Sequence, residues 1–273
     1  METTTFGLEK PYLLASDQIT SFRRDGHVCL RNVASPGDIE YFRPLILDAV
    51  LEAASKPNRK PQLEDTSMLF MQATNVWQES ETLREFVCAT RFATIAAELM
   101  GVRKLRLYHD QAMIKFPGGR PSPWHKDHYY WPLASHQTIK MWLALSDIPL
   151  ESGAMTFASG SHRSGLFPEL PITNNSQDLF DQIIRDHNFA TRSCTLAAGD
   201  ATFYSGDVLH CARENSSTLH REAIAVIYFA DGTTVTTVNH QHRMVDLKAF
   251  LPGLKPGDLA ATEFNPILYD ATL

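Results

Sequence analysis

The stretch Trp124-His125-Lys126-Asp127 carries an imidazole and a carboxylate two positions apart, directly after the turn-rich segment PGGRPSP (117–123). In a strand, side chains at i and i+2 point to the same face. His125 and Asp127 therefore stand side by side if this segment is extended. One more histidine from a distant strand completes a two-histidine, one-carboxylate set. Such a set occupies one face of an octahedral iron(II) and leaves positions open for an oxidant and a cosubstrate. In a chain with 11 histidines a lone His-x-Asp pair arises readily by chance, and an incidental pair at a surface strand end is the alternative. His210 lies in FYSGDVLHCARENSS (203–217), after a predicted strand and a Gly-Asp turn. Eleven residues later Arg221 opens the apolar run EAIAVIYFA. A guanidinium at the head of a buried strand cannot shed its charge, so it needs an anion. Its fork suits a carboxylate. That carboxylate could be an acidic side chain of the protein or a bound cosubstrate.

The elements that must hold these groups change character near residue 101. Ser16 or Asp17 caps a short helix that runs through Phe22 and stops at Gly26. HVCLRNV (27–33) alternates as a strand. Ser35-Pro36 opens a helix whose apolar face is Ile39, Phe42, Leu45, Ile46, Ala49 and Val50. Residues 56–66 are polar and form a loop. A second helical stretch runs from about Ser80 to Met100 and ends at Gly101. Beyond it come short β-branched and aromatic segments at 103–116, 138–148, 189–196, 200–205 and 222–230, broken by a helical spacing at 177–187. Many short strands at close intervals indicate an antiparallel sandwich or barrel. No linker divides the chain. The expectation is one α+β domain over 1–273 with a mainly β core: a helical flank over 1–101, the site-bearing β core over 102–231 and an irregular C-terminal wrap over 232–273.

With 273 residues, 44% hydrophobic and 21% charged, the composition is that of a globular protein and excludes a wholly disordered chain. The net charge of −6 and scattered basic residues give no support for a nucleic-acid partner. No apolar run reaches the ~18 residues a membrane span needs, and METTTFGLEKPYLL lacks the basic and apolar regions of a signal peptide. The C-terminal ATL is not a peroxisomal address. Cys29, Cys88, Cys194 and Cys211 form no CxxC pair. The expectation is four reduced thiols in a cytoplasmic protein. Nothing in the sequence fixes an oligomeric state.

Five pieces in order resemble the phytanoyl-CoA dioxygenase family of iron(II)/2-oxoglutarate oxygenases: QAMIKFPGG (111–119), PWHKD (123–127), SGAMTFASGSH (152–162), HCARENSSTLHR (210–221) and LPGLKPGD (251–258). Each piece is modest; their order and the His–Arg spacing make the match specific. The resemblance implies a double-stranded β-helix (jelly-roll, cupin-like) core with flanking N-terminal helices. It implies His125, Asp127 and His210 as iron ligands and Arg221 as the partner of the distal carboxylate of 2-oxoglutarate. Gln111 and Trp142 resemble further cosubstrate-pocket positions, and Asn215 a structural asparagine. The implied reaction consumes 2-oxoglutarate and O₂, releases succinate and CO₂, and oxidises an unactivated C–H of a small-molecule metabolite, as in natural-product biosynthesis. Hydroxylation is the default outcome; desaturation, epimerisation and ring closure are related ones. The family's Asn-Gly before its Pro-Gly-Ser-His turn is here Ser152-Gly153, with Ser159-Gly160-Ser161-His162 following, a change in turns. Asp127 retains the carboxylate, which favours oxygen insertion over halogenation.

Two other classes compete: a binding protein of the same fold without turnover, and a metal-dependent cupin-type isomerase or lyase. His240-Gln241-His242 could begin a zinc site but lacks an evident third ligand. His128, Tyr129, Tyr130 and Trp131 are either aromatic core or pocket lining. His162 is expected to support its turn. There is no Gly-x-Ser-x-Gly elbow, phosphate loop or dinucleotide fingerprint.

Overall fold

The computed structural model describes residues 7–55 and 69–272; the loop expected at 56–66 lies outside the described residues. The N-terminal third supplies α1 (Ser16–Asp25), β1 (His27–Leu30), α2 (Pro36–Ser55), β2 (Phe70–Thr74), α3 (Glu81–Val87) and α4 (Thr90–Met100). Helix α1 stops where Gly26 takes φ 81, a left-handed conformation that glycine adopts without penalty. Asp38 in the first turn of α2 accepts from the Ser35 amide (2.8 Å) and hydroxyl (2.7 Å), which fixes the helix start that Ser35-Pro36 announces. The inward face of α2 is the expected one, except that Leu45 is exposed. The single helix expected from Ser80 to Met100 is two. Ala89 is extended (φ −55, ψ 128), and the break lets Phe86 meet both Phe42 and Phe92 at ring-centroid distances of 4.8 and 5.4 Å. Aromatic packing overrides local propensity here.

The rest of the chain adds β3 (Lys104–Lys115), β4 (Ser122–His125), β5 (Thr138–Ala144), β6 (Met155–Ala158), α5 (Asn174–Asp186), β7 (Thr191–Ser193), β8 (Ala201–Ser205), β9 (His210–Ala212), β10 (Arg221–Ala230), α6 (Gln241–Phe250) and β11 (Ile267–Asp270). Seven strands form one antiparallel sheet in the order β1-β8-β5-β10-β3-β11, with β2 also paired to β3; four form a second in the order β4-β9-β6-β7. The two sheets face each other as a jelly roll. Alternation divides the strands between two layers. Ile224, Val226 and Tyr228 of β10 join Ile139, Met141 and Leu143 of β5 against the N-terminal helices. Ala223, Ala225, Ile227 and Phe229 face inward with Trp142, Tyr204 and Phe157. All ten residues of β10 are buried, because both faces of the large sheet are covered. Helix α5 closes the outer face of the small sheet through Phe180 and Ile184, which pack with Trp124 and Phe167.

Residues 232–273 are not an irregular wrap. They contain α6, and β11 adds to the edge of β3. Cys29 and Cys194 are distant in sequence, yet their sulfurs lie 2.8 Å apart; all four cysteines are free thiols.

Candidate metal centre and cosubstrate pocket

Strands β4 and β9 are register partners, and His125 stands directly opposite His210. Their rings are 4.2 Å apart, tilted by 52°. Each imidazole is oriented by the same device. His125 Nδ1 meets the Pro123 carbonyl at 2.8 Å and His210 Nδ1 meets the Val208 carbonyl at 3.0 Å. In both cases the partner is the carbonyl two residues earlier. A carbonyl only accepts, so Nδ1 carries the proton and Nε2 offers its lone pair. Burial, reinforced by neighbouring His125, pushes His210 down to about 3, so its ring is neutral at physiological pH.

Asp127 does not continue the strand. β4 ends at His125, and Asp127 begins a 3-10 turn (Asp127–Tyr129). The turn brings the carboxylate to both rings: Oδ1 lies 3.6 Å from His125 Nε2, and Oδ2 lies 3.8 Å from His210 Nε2. Ligands about 2.1 Å from one ion in adjacent octahedral positions sit about 3 Å apart. The two carboxylate–imidazole gaps are somewhat wider than that, and all three donor atoms lie within 4.8 Å of one another, a spacing that could hold one ion. Burial raises the Asp127 pKa, but Lys140, His210 and His125 outweigh it and hold the carboxyl well below its usual range. Asp127 is therefore an anion, as a ligand must be.

The triad opens into a cavity of about 710 Å³ between the sheets, which Arg221, Gln111 and Trp142 also line. Arg221 is buried, at 3% exposure. Its Nη1 donates to the Gly153 carbonyl at 2.7 Å, and its guanidinium lies 5.3 Å from the Trp142 ring centre. Its Nε has no hydrogen-bond partner. Among the described residues no carboxylate pairs with it, so the protein's own acidic side chains do not supply the anion. Burial drags its pKa down to about 10. A bound carboxylate relieves both defects.

Gln111 Nε2 donates to Gln72 Oε1 on β2 at 2.7 Å, and Trp142 Nε1 contacts Met113 Sδ at 3.4 Å. Asn215 is buried and ties its loop together, donating to the Lys115 and Leu219 carbonyls and accepting from Ser217. Tyr130 and Trp131 line the cavity. Tyr129 instead stacks on His240 at 4.4 Å. His240 caps α6 by accepting from the Arg243 amide, and His240 and His242 belong to no three-residue metal-binding group among the described residues.

Three cavity groups escaped sequence reasoning. Lys140 places Nζ 3.2 Å from Asp127 Oδ2. It sits two residues before Trp142 on the same strand face, and that spacing could have pointed to it. His109 faces the cavity because a bulge in β3, opposite Ile227 and Tyr228, inverts the alternation there. Asp246 belongs to α6, in the segment expected to be irregular, and burial pushes it up to about 7.

The phytanoyl-CoA dioxygenase (PhyH) family model matches residues 22–223. The chain belongs to that family. Its members are iron- and 2-oxoglutarate-dependent dioxygenases, and the histidine–aspartate–histidine group fits the donor set that such an ion takes. Ectoine dioxygenase of Nocardia farcinica is 22% identical over 232 residues, covering 78% of this chain and 77% of the relative. Phytanoyl-CoA dioxygenase of Arabidopsis thaliana is 27% identical over 148 residues, covering 52% and 50%. Among solved structures, the α-ketoglutarate-dependent carbocyclase SnoK from nogalamycin biosynthesis superposes with a TM-score of 0.77 at 25% identity, over 96% of this chain and 98% of its own. The epimerase SnoN, solved with Fe³⁺, α-ketoglutarate and nogalamycin RO, gives 0.74 at 25% identity, over 92% and 97%. Among the described residues no helix is long and apolar enough to cross a membrane.

Proposed function

We propose that this dioxygenase oxidises an unactivated C–H bond of a medium-sized, partly apolar small-molecule metabolite, in natural-product metabolism. Hydroxylation is the default outcome. In this reading His125, Asp127 and His210 are the iron ligands, Arg221 pairs the distal carboxylate of 2-oxoglutarate, and Gln111 and Trp142 shape the cosubstrate pocket. The observation that carries it is the buried guanidinium with an unmatched Nε, in the same cavity as two imidazoles oriented by backbone carbonyls and an ionised Asp127 carboxylate. When bound, iron(II) with 2-oxoglutarate and O₂ supplies the oxidising equivalent, and the cosubstrate leaves as succinate and CO₂.

The chain's own residues prepare that chemistry. The Pro123 and Val208 carbonyls orient the two rings through Nδ1, which leaves Nε2 as the atom that would face an ion. Trp142 packs beside Arg221, where a low dielectric strengthens an ion pair. Tyr130, Trp131 and Phe250 give the outer cavity its apolar walls, while His109, Lys140 and Asp246 supply polar handles. That mixture favours a molecule with both ring or alkyl surface and a few polar groups. The link to natural products rests on the nogalamycin enzymes, which match this chain over almost its whole length.

The test is succinate formation from 2-oxoglutarate by the iron(II)-loaded protein in air, with and without candidate metabolites. Succinate release that requires iron and O₂, and that rises when a metabolite is added, is expected. Release that is indifferent to iron or unchanged by His210→Ala contradicts the assignment.

A further inference from the structure

A second cluster of metal-binding side chains lies outside the cavity. His128, His136 and Asp207 each offer one donor atom, and the three atoms lie within 4.8 Å of one another. His128 sits in the 3-10 turn after Asp127, His136 in the loop leading to β5, and Asp207 in the turn between β8 and β9. The two rings are 4.2 Å apart, the same spacing as His125 and His210. His136 Nδ1 points between the two Asp207 oxygens at 3.0 and 2.9 Å. His128 is 2% exposed, and its Nδ1 is buried with no hydrogen-bond partner. A buried polar atom without a partner is uncommon in a native protein and calls for an explanation.

We propose that His128, His136 and Asp207 form a second metal site, separate from the triad, that takes a borderline divalent ion such as zinc(II). Two imidazoles and one carboxylate are a zinc-type donor set, with water completing four-coordination. The ion takes the place of the proton that His136 shares with Asp207 and gives the second ring the partner it lacks. Its route in is open, because the His136 side chain is 65% exposed against 16% for Asp207. Nearby cations are already engaged: Arg243 pairs with Glu169 at 3.2 Å, and Lys126 Nζ donates to the Phe167 carbonyl at 3.0 Å. The backbone is built for the approach. The His128 amide donates to the Gly206 carbonyl at 2.9 Å, and a Cβ at Gly206 would come within 2.5 Å of Trp131 and Thr138. An ion here clamps together the segments that carry Asp127 and His210, since His128 directly follows Asp127 and Asp207 lies three residues before His210.

Chelator-treated full-length protein, titrated with zinc(II) and freed of loose metal by gel filtration, tests the site by metal content. Wild type is expected to retain one more equivalent than His136→Ala, a change at an exposed side chain that leaves the triad and the core intact. His125→Ala/His210→Ala protein is expected to keep one cobalt(II) with visible ligand-field bands, and these should vanish when His136→Ala is added. The one-equivalent difference between wild type and His136→Ala is read whether or not the triad binds zinc, so it stands apart from the iron-site assignment. Equal zinc content in wild type and His136→Ala overturns the proposal, even if the variants made for the cobalt measurement fail to fold.

Discussion

Arg221 is buried, charged and short of one partner, so its contribution is realised when an anion binds. Hydrogen bonds to charged groups are worth about 1.5–3 kcal/mol, or roughly a 10- to 100-fold change in an equilibrium constant. Arg221→Ala is therefore expected to raise KM for 2-oxoglutarate about 10- to 100-fold with a smaller effect on kcat, and Arg221→Lys to recover part of the loss. Steady-state kinetics with varied 2-oxoglutarate reads this, and an unaltered KM contradicts it. Asp246 gives a pH signature. In the folded protein burial holds its pKa at about 7, while in the unfolded chain it titrates near 4. Between those values the folded state binds more protons than the unfolded one, so this group lowers stability as pH rises from about 4 to about 7. Asp246→Asn removes the effect, and other carboxylates cancel in the comparison. The melting temperature of metal-free Asp246→Asn, relative to wild type, should climb between pH 5 and pH 7.5. A difference that stays constant over this range refutes the assignment.

Strand pairings and turns decide where these side chains point. Gly153 has φ 82, and a Cβ there would lie 2.6 Å from the Arg213 carbonyl oxygen. Its own carbonyl holds Arg221. Gly153→Ala is expected to destabilise the fold by about 1–2 kcal/mol and also to raise KM for 2-oxoglutarate. Denaturant unfolding paired with kinetics checks both, and destabilisation with normal cosubstrate affinity would separate the turn from the pocket. The contact between β1 and the segment after β7 produces a second local effect. The Cys29 and Cys194 thiols are in hydrogen-bond contact, and the Arg31 guanidinium lies 3.3 Å from the Cys194 sulfur. Together these lower the Cys194 pKa. Burial pushes Cys88 up to about 11 and Cys211 up to about 12. Iodoacetamide at pH 7 should label Cys194 well before Cys88 or Cys211, as peptide mass mapping would show; the reverse order contradicts this thiol assignment.

Over the whole molecule, what could be read in advance follows from physical locality. Helix ends at Gly26 and Gly101 and the strand-rich region after residue 101 depend on short-range signals. The proposed set His125, Asp127, His210 and Arg221 comes from ordered motifs that resemble the family, because motif spacings survive in one dimension. The bulge in β3 that aims His109 inward depends on its partner strand. The break at Ala89 depends on three phenylalanines meeting in space. The approach of Cys29 to Cys194 and the His128–His136–Asp207 cluster depend on chain reversals that no local pattern records. Helix α6 was hidden because Pro252-Gly253 follow it closely and its apolar residues form no clear stripe. The jelly roll places a cavity between two sheets with His125, Asp127, His210 and the Arg221 guanidinium on its walls.

The central assignment is that three donors and Arg221 serve one iron(II)–2-oxoglutarate complex. Anaerobic addition of iron(II) and 2-oxoglutarate to the metal-free protein, followed by visible absorption, tests it most directly. A weak charge-transfer band that saturates at one iron per chain and disappears in His125→Ala/His210→Ala protein is the predicted result. Absence of the band in wild type, or its persistence in the double variant, would contradict the account.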